Sequence, residues 1–99
     1  MTVRLEVICW RDIPAQIIAR EGRDVHRVEL PSRFQEAIDR AATRAGVTAT
    51  DDYLTQWRKK RTEVAGEPAK LARTAADETE MRFTDDLLAA YVINEGWKP

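Results

Sequence analysis

The sequence is poor in the residues that several classes of site require. Its 99 residues contain one cysteine, one histidine, four glycines and four prolines. A single cysteine excludes an internal disulfide, and one cysteine with one histidine falls short of a zinc ligand set. The glycines are dispersed, so the chain has no glycine-rich phosphate loop. No run approaches the roughly 18 apolar residues of a membrane span.

An excess of charge of one sign is also missing. The chain has 16 Lys and Arg against 17 Asp and Glu, a formal net charge of −1, whereas nucleic-acid-binding modules usually carry a basic excess. The N-terminus alternates like a strand and has no signal-peptide pattern. We therefore expect a cytoplasmic protein without membrane association, in a reducing compartment. Its 43 % hydrophobic and 33 % charged residues fit one globular domain over residues 1–99.

Three short strands are predicted from the alternation of side chains over residues 3–30. In the first strand one face carries Val3, Leu5, Val7 and Cys9, and the other carries Arg4, Glu6, Ile8 and Trp10. Gly22 stands first in a two-residue loop, which suits the positive φ of a type II′ turn. That turn pairs Ile17 with Val28 and Ile18 with Arg27, and it collects the apolar residues on one face.

Helices are predicted after Leu30, where the apolar period lengthens to about 3.6 residues. Ser32 and Gln35 match a capping box at the start of the first helix, and Gly46 matches its left-handed end. We expect a second helix over 50–61, a third from Pro68 and a last one over 87–94. The sequence leaves open whether residues 83–84 break the helix or only bend it. The fold class is α+β, with a three-stranded antiparallel sheet covered on one face by three to four helices.

Catalytic chemistry finds little support in the sequence. Cys9 and His26 could form a thiolate–imidazole pair, but Cys9 continues an apolar face and is interpreted as a core residue. The carboxylate pairs at 51–52 and 85–86 fit helix starts. We predict no catalytic residue, no metal site and no cofactor. The basic run 58–61 could contact the phosphates of a nucleic acid, but at a helix end it would complement the helix dipole.

An interaction surface is predicted on the outward sheet face and the turn that follows the first strand. Aromatic and arginine side chains are common anchors of protein contacts. The candidates are Trp10, Arg11, Asp12, Ile8, Ile18 and Arg27. We expect an exposed Trp10 indole that a partner, a second copy or the C-terminal segment ending at Trp97 covers. In the alternative interpretation Trp10 packs on its own chain and Arg11 and Asp12 cap a turn.

Residues 7–16, Val-Ile-Cys-Trp-Arg-Asp-Ile-Pro-Ala-Gln, resemble the N-terminal signature of a small bacterial family known as virulence factor. The segments 30–41, 52–58 and 96–97 are similar to that family as well. The family has no established chemistry, so the resemblance implies no catalytic residue. Its members are often encoded beside folate- and corrinoid-dependent methyl-transfer proteins, which implies an accessory role in one-carbon metabolism.

Three functions follow from these patterns. The first is a non-enzymatic accessory domain that binds a protein partner, or forms a homodimer, through the outward sheet face and residues 10–14. The second is a small ligand-binding or catalytic subunit, which a deep pocket lined by Trp10, Arg11 and Trp57 would favour. The third is nucleic-acid binding through residues 58–61, against which the net charge argues.

Overall fold

The structure is a computed structural model that describes residues 2–99. These residues form four strands and four helices. They follow one another as β1 (Thr2–Trp10), β2 (Ile13–Glu21), β3 (Asp24–Glu29), α1 (Ser32–Ala45), α2 (Thr50–Leu54), β4 (Trp57–Ala65), α3 (Pro68–Arg82) and α4 (Asp85–Ile93). The strands form one antiparallel sheet in the order β3-β2-β1-β4. The α+β class is confirmed, and the predicted three-stranded sheet is wrong because a fourth strand adds to β1.

The β2–β3 hairpin has the register predicted from the sequence. Ile17 pairs with Val28, and Ile18 pairs with Arg27. Gly22 has a φ of 58°, the left-handed value that the first loop position of a type II′ turn requires. The turn and the apolar pattern specify the same register, because a slip of one residue would turn every apolar side chain to the other face.

β4 begins within the segment 50–61 in which one long helix was expected, and it takes the last five residues of that segment. The helix that begins at Thr50 ends at Leu54, and Trp57–Ala65 then pair with β1 along its whole length. β4 is an edge strand whose residues are mostly exposed, so no apolar alternation marks it in the sequence. The basic run 58–61 therefore lies in a strand, and its interpretation as a helix end is wrong.

Helices α1, α3 and α4 pack on one side of the sheet and leave β4 largely uncovered. α1 packs on β2, α3 packs on β1, β2 and β3, and α4 packs on α1. Their buried residues meet the core-facing side of the strands, and the largest fully buried side chains are Trp10, Phe34, Ile13, Ile17 and Ile38. The opposite face of the sheet carries no helix over most of its area, so it is the face on which a partner was expected.

The ends of α1 differ in how well the sequence predicts them. Gly46 has a φ of 71°, and Val47 donates its N–H to the Ala42 carbonyl, as expected for a left-handed end. The capping box at the start is wrong. Pro31 occupies the N-cap position with no side-chain hydrogen bond, so Ser32 is already the first helical residue and its hydroxyl no longer caps the helix.

The helix is interrupted between α3 and α4. This answers the question that the sequence leaves open at residues 83–84. Phe83 ends α3, and the Thr84 side chain caps α4 by accepting from the Leu87 N–H at 3.2 Å. Pro68 is the first residue of α3, as predicted. The Glu67 carboxylate caps this helix, and this contact was not predicted from the sequence.

Candidate functional site

Trp10 is fully buried, and the expectation of an exposed indole is wrong. Its Nε1 donates to the Tyr53 carbonyl at 3.0 Å, and its ring stacks on the Tyr53 ring with centroids 5.7 Å apart. Gly96 lies so close that a Cβ there would be 2.8 Å from Trp10 Cζ3. A partner, a second copy or the C-terminal segment was expected to cover the indole. In the structure the C-terminal segment and α2 cover it.

Arg11 joins the β1–β2 turn to two distant segments. Its Nε donates to Gln56 Oε1 at 3.1 Å, and its Nη1 donates to the Glu95 carbonyl at 2.9 Å. The guanidinium lies 5.0 Å from the ring centroids of both Trp10 and Trp97, within cation–π range. Arg11 thus uses two of its five N–H donors and its contacts with two indole rings within the chain itself.

Asp12 completes this turn by holding the C-terminal segment. Its N–H donates to the Gly96 carbonyl at 2.8 Å, and its Oδ2 accepts from the Lys98 N–H at 2.8 Å. Its Oδ1 lies 3.5 Å from Lys60 Nζ on β4. The structure therefore gives residues 10–12 a role in holding the fold together, and their role as partner contacts stays a prediction.

The other three candidates lie together on the open face of the sheet. Ile8 pairs with Gln16, and Ile18 pairs with Glu6 on one side and Arg27 on the other. Ile18 is only 2 % exposed because long charged side chains surround it, whereas Arg27 is exposed. This face therefore presents charged side chains beside its apolar ones.

Glu6 lies at the centre of this open face and is 1 % exposed. Arg20 Nε donates to its Oε1 at 2.8 Å, and Arg61 Nε lies 3.2 Å from its Oε2. The hydrogen bond from Arg20 lowers the pKa of the Glu6 carboxyl below its ordinary value, although burial acts in the opposite direction. The carboxylate thus stays ionised and holds two arginines from neighbouring strands flat against the sheet.

Cys9 and His26 are not a catalytic pair. Burial raises the pKa of the Cys9 thiol to about 11, so the nucleophilic thiolate is scarce at neutral pH. Cys9 pairs with Pro14 at one end of β2, and His26 pairs with Ala19 nearer the other. Strand geometry places them roughly 20 Å apart. No group of three or more His, Cys, Asp or Glu able to hold a metal occurs among residues 2–99.

A deep pocket lined by Trp10, Arg11 and Trp57 would favour a ligand-binding subunit, and residues 2–99 form no such pocket because Trp10 has no exposed surface. The free edge of the sheet is a feature that was not predicted from the sequence. Arg11 N–H donates to the Gln56 carbonyl at 3.0 Å, one step beyond the Trp10–Trp57 pair. Bonded and non-bonded pairs alternate in an antiparallel ladder. Residues 58, 60, 62 and 64 therefore bond to β1, and the backbone groups of Lys59, Arg61 and Glu63 point away from the sheet.

Comparison with known proteins places this geometry in a family. The family described as Virulence factor matches the chain over residues 8–92. The chain belongs to the virulence factor family. The matched range includes the β1–β2 turn and all of β4, so both features lie within the virulence factor domain. No curated protein and no solved structure was found to match the chain. None of the helices within residues 2–99 has the length and hydrophobicity to cross a membrane.

Proposed function

We propose that this virulence factor domain is a non-enzymatic protein-interaction module that binds an acidic, extended segment of a larger cytoplasmic protein along β4. The observation that carries the proposal is the free edge of a nine-residue strand that no helix covers. An exposed strand edge is a template for pairing with another chain. The family resemblance supports a partner among folate- or corrinoid-dependent methyl-transfer proteins, which would make the domain an accessory protein of one-carbon metabolism.

The backbone of β4 supplies the affinity in this proposal. The N–H and C=O groups of Lys59, Arg61 and Glu63 point outwards and bond to no other strand within residues 2–99. A partner strand placed beside β4 would satisfy them by extending the four-stranded sheet to five. The opposite edge, β3, has only six residues and offers a shorter template.

The charge of β4 selects the partner. β4 contains four cations, Arg58, Lys59, Lys60 and Arg61, and one carboxylate, that of Glu63, so its own residues carry a net charge of +3. Positive side chains on an edge strand oppose pairing between two copies, which argues against a homodimer through this edge. Acidic side chains on the partner would turn the repulsion into attraction and fix the register.

Substitutions at Glu63 separate backbone pairing from simple charge attraction. Glu63→Pro removes an outward N–H without removing a bond to β1, and Glu63→Ala is the matched control with the same charge. The probe is a fluorescein-labelled peptide of alternating Glu and Val, and the measurement is fluorescence anisotropy. We expect Glu63→Ala to bind at least as well as the parent domain and Glu63→Pro to bind at least about tenfold more weakly.

Two results would overturn the proposal, provided that circular dichroism shows both variants folded. The first is equal peptide binding by Glu63→Pro and Glu63→Ala. The second is tighter binding of a labelled single-stranded oligonucleotide than of the peptide. A nucleic acid contacts the basic side chains and needs no strand edge, so both Glu63 variants would then bind it more tightly than the parent domain.

A further inference from the structure

A cleft opens on the helical side of the sheet, where the helices stop short of β4. It has a volume of about 470 Å³ and lies between β1, β4, the junction of α3 with α4, and the C-terminal residues. Its volume falls within the range of sites that hold small molecules. The cleft is separate from the strand edge, because the Lys60 side chain enters it while the Lys60 backbone bonds to β1.

Three cations from three parts of the chain converge on the rim of the cleft. They are Lys60 on β4, Arg82 at the end of α3 and Lys98 in the C-terminal segment. Asp12 carries the one side-chain carboxylate among the lining residues, so these four side chains have a net charge of +2. Both Asp12 oxygens are already engaged, one with the Lys98 N–H at 2.8 Å and the other 3.5 Å from Lys60 Nζ.

Arg82 is a cation of the rim that an incoming ligand would find unpaired. Its guanidinium lies 5.1 Å from the centroid of the Phe83 ring, and it forms no ion pair with any carboxylate in the part of the chain that the structure describes. A guanidinium over an aromatic ring keeps its N–H donors available. Its planar fork matches the oxygens of a carboxylate or a phosphate.

The floor of the cleft is apolar and uncharged. Cys9, Phe83 and Tyr91 are at most 8 % exposed, and Val7, Pro14 and Leu87 complete the wall. Because burial raises the pKa of the Cys9 thiol to about 11, this group stays neutral at physiological pH. A flat apolar ring or a short chain would bury its surface here, whereas a fully hydrated inorganic ion would gain nothing from this floor.

We propose that the cleft binds a small organic anion whose apolar body lies on Phe83 and Tyr91 and whose carboxylate or phosphate is held between Arg82 and Lys60. The apolar floor and the cationic rim each select one half of such a molecule. The site does not depend on the strand-edge interaction proposed above, so either proposal can fail without the other.

The test is a titration followed by amide chemical shifts of the isotopically labelled domain. The probes are phenyl phosphate, benzoate and inorganic phosphate. We expect saturable shifts at Cys9, Lys60 and Phe83 with at least one aromatic probe, at least about tenfold tighter than inorganic phosphate. Binding of phenyl phosphate alone identifies a phosphate ester as the ligand class, and binding of benzoate alone identifies a carboxylate.

Charge variants localise the site. Arg82→Gln should weaken binding of the aromatic probe about tenfold. Arg40→Gln, which removes an exposed arginine from α1, should leave that binding unchanged. The proposal is overturned if no probe gives saturable shifts, if inorganic phosphate binds as tightly as the aromatic probes, or if Arg82→Gln binds like the parent domain.

Discussion

Trp10 was expected to contact a partner and is instead a buried core residue. Because its indole is fully enclosed, Trp10→Ala should lower the free energy of unfolding by about 3–5 kcal/mol. Trp10→Phe keeps a smaller ring and should lose about 2 kcal/mol, through the missing bond from Nε1 to the Tyr53 carbonyl and the space that the smaller ring leaves. Urea denaturation measures both values. Val25→Ala, at a residue 40 % exposed, is the control, and a Trp10→Ala variant as stable as this control would contradict the burial.

Gly96 supports Trp10 from the C-terminal side. Its φ is 93°, and a Cβ would lie 2.8 Å from the Trp10 ring. Gly96→Ala should therefore destabilise the domain by about 2 kcal/mol or more, through both backbone strain and the clash. Gly46 also has a positive φ, but a Cβ there meets nothing within 4 Å, so Gly46→Ala should lose only about 1 kcal/mol. Equal melting temperatures of the two variants would show that the contact with Trp10 carries no weight.

Glu6 makes the stability of the domain depend on acid pH. Its pKa is lower in the folded state than the ordinary value of 4.5, so the stabilisation from Arg20 and Arg61 is fully present above about pH 4.5. It is lost as the pH falls through the folded pKa. Glu6→Gln should be less stable than the parent domain at pH 7, and this difference should shrink as the pH falls. Thermal melts from pH 7 to pH 3 measure it, and a constant difference would rule out this linkage.

At the scale of single elements, two helix starts that look alike in sequence differ in the structure. The Thr84 hydroxyl accepts from the Leu87 N–H, whereas the Ser32 hydroxyl caps nothing. Thr84→Ala should cost about 1 kcal/mol, and Ser32→Ala should stay within about 0.5 kcal/mol of the parent domain. Chemical denaturation compares the two variants, and a larger loss for Ser32→Ala would restore the capping box.

The sequence predicts those elements whose signals are local. The β2–β3 hairpin is set by Gly22 and by apolar alternation within a few residues, and both agree with the structure. β4 has no such signal, because an edge strand exposed on both faces needs no apolar period. A basic run also suits the last turn of a helix, so local chemistry alone favours the wrong element there.

The candidate sites depend on the whole molecule, and the sequence predicts them least well. The cover of Trp10 comes from α2 and from Gly96, and the cleft combines side chains from β4, α3 and the C-terminal segment. Alternation places Trp10 on the outward face, but it contains no information about which distant segment covers that face. The open-face position of Ile8, Ile18 and Arg27 depends only on strand register, and that position is predicted correctly.

The Asp12 carboxylate links the β1–β2 turn to the C-terminal segment, and its removal tests this link. Asp12→Ala removes the acceptor of the Lys98 N–H but leaves the bond from the Asp12 N–H to the Gly96 carbonyl. The Lys98 amide should then exchange with solvent about fivefold faster. Asp39→Ala, on an exposed part of α1, should leave that amide unchanged. If Lys98 exchanges at the same rate in all three proteins, Asp12 does not anchor the segment.

The bonds from Arg11 and Asp12 to residues 95–98 also impose an order on biosynthesis. A ribosome makes the β1–β2 turn well before it makes residues 95–98, which close over Trp10. The nascent chain therefore carries an indole that Gly96 does not cover until these residues are made, and the β1–β2 hairpin can form before this part of the core is complete. Chaperones that bind exposed aromatic residues on emerging chains can bind the Trp10 indole until residues 95–98 dock over it.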